Sequence, residues 1–196
     1  MTEPIRNPAP DAVGDIVPGE PPVPITVWHV PAARADETMS MTFAERLVAN
    51  FTHGRRLILD LTDGEQVSRA AHSARRSYAR HTADDLRTDP RRAELIVAGW
   101  PLGSVDADPF FVDCAARLMV GGCVAVVLGA VDLTVNQLLI AAARAAGLTY
   151  LQHIVAAHDL TERRGQLTAG GVHLSVHSDV LIFASSSAGL RGPADG

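Results

Sequence analysis

A polar turn that follows an apolar segment is the part of this sequence best suited to chemistry. Residues 57–60, Leu-Ile-Leu-Asp, are typical of a buried strand, and Thr62–Gln66 follow as a tight turn that opens a helix. In open α/β sheets, ligands bind at such junctions, because backbone amides at the helix N-terminus point towards them. Asp60 stands at the end of this strand, where its carboxylate could accept a hydrogen bond from a ligand. Gly64 could adopt a positive φ or let the backbone approach a ligand closely.

Three other side chains of this turn oppose the binding of an anionic group. The carboxylates of Asp63 and Glu65 suit a helix N-terminus, yet they would repel a ligand carboxylate. Gln66 is bulky and would fill space that the ligand needs. The sequence therefore predicts a cofactor turn with weakened binding.

Strand and helix patterns alternate around this turn. We predict helices at 42–51, 65–74, 108–119 and 132–142. At the start of the first helix, Thr42 and Glu45 have capping-box spacing. Gly121-Gly122 would end the third helix, and Gly147 would end the fourth. We predict strands at 25–30, 57–61, 77–80, 94–98, 123–128, 149–156 and 180–183. This order predicts an α/β fold with a Rossmann-like, doubly wound, mostly parallel sheet. The last two strands have no helix between them, which predicts a C-terminal antiparallel hairpin at one end of the sheet.

The ends of the chain differ in composition from the middle. Residues 1–24 hold most of the prolines and few bulky apolar side chains, so we predict a disordered arm. Residues 185–196 are small and polar, which predicts a flexible tail. Residues 25–184 are the predicted domain.

Several short motifs follow one another in a fixed order. Asp60 and Gly64 stand at the first strand end, Gly99-Trp100-Pro101 at a later one, and Gly121-Gly122 before the next strand. Residues 145–148 precede a further strand, and 177–183 form the closing one. Over residues 27–184 this order resembles the class I S-adenosylmethionine-dependent methyltransferases, and more narrowly the amino-methylating DNA methyltransferases of actinobacterial type. The family's first motif is Asp-Pro-Phe-x-Gly-x-Gly; here Leu61 replaces the proline and Gln66 the second glycine.

The resemblance implies S-adenosylmethionine as the cofactor. The residues that would bind it are Asp60, Thr62, Gly64, Asp85 and Ala98. Gly99, Trp100 and Pro101 occupy the family's Asp/Asn/Ser-Pro-Pro-Tyr catalytic loop without its polar acceptor, and Tyr78–His81 lack the acid that grips the ribose. We therefore expect a catalytically degenerate domain that binds a partner protein or nucleic acid. The alternative is an active S-adenosylmethionine-dependent methyltransferase, acting on nucleic acid.

Composition limits the partners. The net charge of −5 argues against a dedicated nucleic-acid binder, although seven arginines between Arg69 and Arg92 could contact phosphates. A protein partner or a homodimer is equally open.

The chain has no lysine, so no lysine can act as a base or phosphate ligand. His173, His177 and Asp179 lack the spacing of a metal site, and no metal is expected. No apolar run reaches membrane length, and we expect a soluble cytoplasmic protein.

Overall fold

The residues that the structure describes form an eight-stranded sheet with helices on both faces. The computed structural model describes residues 16–17, 23–129, 133–158 and 177–185. The predicted tail lies outside these ranges apart from Ser185, and the predicted arm lies outside them apart from residues 16–17 and 23–24. The strands are β1 Ile16–Val17, β2 Val23–Val30, β3 Leu57–Leu61, β4 Ser77–Arg80, β5 Ala93–Trp100, β6 Leu118–Leu128, β7 Leu148–His158 and β8 His177–Ser185. The helices are α1 Met41–Phe51, α2 Gln66–Ser73, α3 Ala83–Thr88, α4 Ala107–Arg117 and α5 Leu133–Ala145.

The strand order is β1-β2-β7-β8-β6-β5-β3-β4. Parallel pairs join β2 to β7, β3 to both β4 and β5, and β5 to β6. Strand β8 runs antiparallel to both of its neighbours, β6 and β7. The predicted mostly parallel sheet and its C-terminal antiparallel hairpin are confirmed. The hairpin does not end the sheet, however, because β2 pairs with the outer edge of β7.

Alternating side chains of the strands feed two cores. On one face, Leu59, Ile96 and Val126 pack in a cluster with residues of α3, α4 and α5. On the other face, Ile58 and Val97 pack in a cluster with residues of α1 and α2. Each central strand is therefore buried on both sides, which explains why these strands are apolar without interruption.

Two local predictions were wrong. Thr42 does not cap α1, because the N-cap residue is Ser40 and it makes no side-chain capping bond. Helix α4 ends at Arg117, and the glycines expected to end it lie inside β6. Gly121 has a φ of +78°, and the register with β5 shifts between Ala93 and Leu95, so the glycines serve an irregular strand pairing.

The chain order places a switch point between β3 and β5. Strand β3 is followed in sequence by β4 on one side, whereas the chain then crosses to β5 on the other side. In open parallel sheets, ligands bind outside the carboxyl ends of the strands at such a point. The carboxyl ends of β3 and β5 are Leu61 and Trp100, and they are the place to look for a site.

Candidate ligand cleft

A cleft of about 340 Å³ opens at the switch point. This volume lies at the small end of the range for ligand pockets. Its walls come from the carboxyl ends of three strands and from the segment that precedes α1. The lining residues are Glu37, Thr38, Leu61, Asp63, Gly99, Trp100, Pro101, Leu102, Gly103, Val127 and Gly129.

Asp60 is fully buried at the end of β3 and its carboxylate is satisfied within the chain. Its Oδ1 accepts from the Thr62 amide at 3.0 Å and from the Thr62 hydroxyl at 2.6 Å. Its Oδ2 accepts from the Tyr78 hydroxyl at 2.8 Å, and the Arg80 guanidinium lies 3.7 Å from the same oxygen. Both oxygens that could hold a ligand ammonium thus have protein partners.

Strand β4 supplies two of these partners. Burial raises the pKa of Tyr78, and the hydrogen bond to the Asp60 carboxylate raises it further, so the phenol stays protonated and donates. Arg80 also donates to the Gly64 carbonyl oxygen. The guanidinium therefore connects the end of β4 to the turn after β3. The strand end where the resemblance calls for an acid instead carries a cation directed at Asp60.

Gly64 and Gln66 are in direct contact. Gly64 has a φ of +88°, the left-handed conformation that glycine adopts without strain. The Gln66 amide oxygen occupies the space in which a Cβ at Gly64 would stand. This oxygen is buried and has no hydrogen-bond partner among the described residues. The side chain of Gln66 therefore covers the glycine whose backbone a ligand would approach.

Thr38 closes the cleft from the segment between β2 and α1. Its hydroxyl accepts from the Asp63 amide at 2.8 Å, and its own amide donates to the Asp63 carbonyl at 3.2 Å. A Cβ at Gly99 would stand 2.9 Å from the Thr38 hydroxyl oxygen, so Thr38 lies directly on Gly99. The crevice between β3 and β5 is thus bridged by the chain itself. Thr38 is not among the residues predicted from the sequence, and no motif around it marks this role.

The loop after β5 has an aromatic wall. Trp100 packs on Phe110 of α4 with ring centroids 5.6 Å apart; Phe110 belongs to the core on that face, and Trp100 packs against its margin. The Trp100–Pro101 peptide is cis. The indole is half-buried and lines the cleft, so one part packs and another part faces the opening.

The predicted cofactor residues do not all meet. Asp60, Thr62 and Gly64 lie together at the end of β3, and buried Ala98 pairs with Leu61 in the neighbouring strand. Asp85 stands apart, in a capping box with Thr82 at the start of α3. There the Asp85 carboxylate accepts hydrogen bonds from the Thr82 amide at 2.9 Å and from the Thr82 hydroxyl at 2.8 Å. Both bonds lower the pKa of Asp85, and the bond from the amide has the largest effect.

A second polar cluster lies on the α5 side of β7 and β8. Buried Asp179 has His153 at 3.3 Å and His177 at 3.9 Å, and the Asn136 amide donates to it at 3.3 Å. Burial acts to raise the pKa of Asp179, yet His153, Asn136 and His177 together hold it below its usual value. His177 and Asp179 are near His173 in sequence, and His173 lies outside the described residues. The described part of the chain contains no group of three or more His, Cys, Asp or Glu side chains that could hold a metal.

Most of the arginine-rich region is engaged within the chain. Five of its seven arginines donate to other groups of the protein: Arg76, Arg80, Arg87, Arg91 and Arg92. Arg91 and His81 both bind Asp89, with a shortest distance of 2.6 Å for each. The Arg91 hydrogen bonds hold the pKa of Asp89 well below its usual range. Most of these arginines therefore stabilise nearby parts of the fold rather than form a continuous basic surface.

The architecture is that of the class I methyltransferase fold, and solved structures agree. One is the complex between the Haloferax volcanii Trm112 methyltransferase activator and a methyltransferase, with 13% identity, a TM-score of 0.54, and coverage of 73% of this chain and 88% of that chain. Another is precorrin-6y C5,15-methyltransferase from Geobacter metallireducens, with 12% identity, a TM-score of 0.50, and coverage of 79% and 94%. At this identity the likeness shows the fold alone.

Sequence comparison adds no closer relative. The chain matches no family model and no curated protein. Among the described helices, none has the length and apolar character needed to cross a membrane.

Proposed function

We propose that this chain is a catalytically degenerate methyltransferase-fold domain that acts by binding another macromolecule. The observation that carries the proposal is the state of Asp60. Its carboxylate is buried and engaged by Thr62, Tyr78 and Arg80, so it is not available to a cofactor ammonium. A ligand ammonium group would have to reach a carboxylate that has no exposed surface and would compete with these donors for its oxygens.

The filling of the cleft supports the same proposal. Gln66 covers Gly64, and Thr38 covers Gly99 while it ties down the Asp63 backbone. Both glycines permit close backbone approach, and at both the space is taken by a side chain of the chain itself. S-adenosylmethionine would need to displace both side chains.

The absence of an acid at the end of β4 is a further support. In the resembled family this position grips the ribose hydroxyls. Here Arg80 turns towards Asp60, and His81 is bound to Asp89 at 2.6 Å. Neither side chain offers a carboxylate to a sugar.

Calorimetric titration with S-adenosylmethionine and S-adenosylhomocysteine tests the proposal. We expect no saturable binding to the wild-type chain at millimolar ligand. The double variant Thr38→Ala/Gln66→Gly, which empties both positions, should gain measurable affinity if filling is the main obstacle. The matched control is Gln137→Ala, at an exposed glutamine on α5. Saturable binding to the wild type that Asp60→Ala weakens would overturn the proposal.

The second candidate is an active S-adenosylmethionine-dependent methyltransferase acting on nucleic acid. What favours it is the location of the remaining cleft, outside the carboxyl ends of β3 and β5 with Trp100 on its wall. A tryptophan there could stack on a base. The same titration separates the two candidates, because methyl transfer requires the cofactor to bind.

A protein partner is the form of binding that we favour. The Haloferax volcanii neighbour is a complex of a methyltransferase with an activator protein, so this fold can carry a protein partner. A homodimer and nucleic acid bound through residues 69–92 are the other forms. Sedimentation equilibrium tests the homodimer, and gel-shift titration with DNA tests the nucleic acid. In the second experiment we expect weak, salt-sensitive binding, because five of the seven arginines are already engaged.

A further inference from the structure

We propose that a second cleft, at the amino ends of β3 and β4, binds the phosphate group of a small ligand. This cleft has a volume of about 500 Å³ and is lined by Arg55, His72, Ser73, Arg75, Arg76 and Ser77. It lies at the amino ends of the strands, whereas the cleft at Gly99 lies at their carboxyl ends. The proposal is therefore independent of whether S-adenosylmethionine binds.

The chemistry of the lining selects an oxyanion. Every lining residue in the described part of the chain is an arginine, a histidine or a serine, and none of them is acidic, although the whole chain has a net charge of −5. Guanidinium groups present paired N–H donors that match phosphate oxygens, and the Ser73 hydroxyl can donate as well, whereas the Ser77 hydroxyl already donates to the Arg55 carbonyl oxygen at 3.1 Å. Arg55 and Arg75 are exposed, and neither has an ion-pair partner among the residues that the structure describes. Their charges are available to a ligand.

Arg76 holds the two walls of this cleft together. Its guanidinium donates to the Thr52 hydroxyl at 2.9 Å, the Gly54 carbonyl at 2.6 Å and the Ala74 carbonyl at 3.0 Å. Thr52 and Gly54 belong to the turn before β3, whereas Ala74 belongs to the turn before β4. Arg76 is thus a positioning residue that keeps Arg55 and Arg75 on the same cleft.

The backbone of Arg75 is the second, independent observation. Helix α2 ends in a Schellman motif, in which the Arg76 amide donates to Ala71 at 2.8 Å and the Arg75 amide donates to His72 at 3.0 Å. This places Arg75 at the position where glycine is usual, with a φ of +54°. Residues in sparsely populated backbone conformations are concentrated at functional sites in folded proteins. Here that side chain lines the basic cleft.

The arrangement suits one phosphate group better than a long strand. Arg80, Arg87, Arg91 and Arg92, which could have extended the basic surface, are bound within the chain. A polynucleotide needs a continuous track of cations along its backbone. The cleft instead concentrates its cations at a single place.

Titration with inorganic pyrophosphate at low salt tests the proposal, with Arg55→Ala and Arg75→Gly as variants. Glycine suits the backbone at position 75, so Arg75→Gly should fold, and thermal unfolding verifies this. Each variant should weaken pyrophosphate binding at least about tenfold, the loss of one charge-assisted contact. Arg144→Ala, at an exposed arginine in the last turn of α5, is the matched control and should bind as the wild type does.

A single-stranded oligonucleotide forms the second arm of the experiment. Weaker binding of the oligonucleotide than of pyrophosphate is expected for a small-ligand site. Oligonucleotide binding that is tighter and depends on Arg75 would overturn the small-ligand assignment. Absent pyrophosphate binding, or equal binding by Arg75→Gly and the wild type, would overturn the site itself. Neither result bears on the S-adenosylmethionine titration, so the two proposals fail separately.

Discussion

The Tyr78 hydroxyl donates a hydrogen bond of 2.8 Å to Asp60 Oδ2 across the neighbouring strands β4 and β3. This bond fixes the carboxylate that would otherwise face a ligand. Because Tyr78 lies on edge strand β4, the Asp60 carboxylate keeps this partner only while β4 stays paired with β3. Removal of the hydroxyl should therefore have a cost that can be measured apart from any activity.

We expect Tyr78→Phe to lower the free energy of unfolding by about 2 kcal/mol, because a buried carboxylate loses a donor. Urea denaturation measures this change. Tyr150→Phe is the matched control, since the Tyr150 hydroxyl is buried and has no hydrogen-bond partner among the described residues. Its removal should change stability by less than about 0.5 kcal/mol or increase it. Equal losses in the two variants would show that the Tyr78 bond has no special weight.

The two cysteines should be inert in the folded protein. Burial raises the pKa of Cys123 to about 12, and burial raises the pKa of Cys114 as well. Only the thiolate reacts with alkylating reagents, so at pH 8 both thiols should stay unmodified by iodoacetamide and both should react in urea. Mass spectrometry reads the number of labels. A label on the native chain would mean that one face of the sheet opens readily.

Acid should weaken the fold partly through Asp89. The Arg91 hydrogen bonds hold the pKa of Asp89 below its unfolded value, so this carboxylate stabilises the folded chain above the unfolded pKa of about 4. That stabilisation is lost as the pH falls from about 4 towards the lower folded pKa. In Asp89→Asn, urea unfolding should show a shallower fall in stability below pH 4 than in the wild type. Asp84→Asn, on an exposed pair with Arg87, should keep the wild-type slope.

Local sequence signals were sufficient for much of the sheet. The apolar run before Asp60 and the glycine after it predict a strand and a turn, because both depend on a few adjacent residues. The same holds for β5, which ends at Trp100. Helix α3 was missed as an element, since its six residues carry only one buried apolar side chain, Leu86.

The filling of the cleft depends on contacts that the sequence does not announce. Thr38 meets Asp63 across 25 positions of sequence, and no local motif specifies that encounter. Arg80 reaches Asp60 because β4 lies beside β3, a fact of topology. Gln66 is the exception. Its position two residues after Gly64 made its bulk a visible obstacle, and its amide indeed contacts that glycine.

The ends of helices α2 and α5 provide a reciprocal test of backbone strain. Arg75 follows α2 with a φ of +54°, whereas Gly147 follows α5 with a φ of +81°. A left-handed backbone raises the free energy of the folded state by about 1 kcal/mol for any residue with a Cβ. Substitution by glycine removes this strain, but the greater freedom of glycine in the unfolded chain offsets part of the gain in stability. We expect Arg75→Gly to raise the free energy of unfolding by about 0.5 kcal/mol.

The reverse change, Gly147→Arg, should lower the free energy of unfolding by about 0.5 kcal/mol, because the same strain and entropy effects apply with opposite sign. A Cβ at Gly147 would have no atom within 4 Å, so no steric clash adds to the strain in the backbone. Chemical denaturation of both variants gives the two changes. If Arg75→Gly proves neutral or destabilising, contacts of the Arg75 side chain within the fold offset its strained backbone. That result would contradict the inference that the conformation of Arg75 is retained for ligand binding.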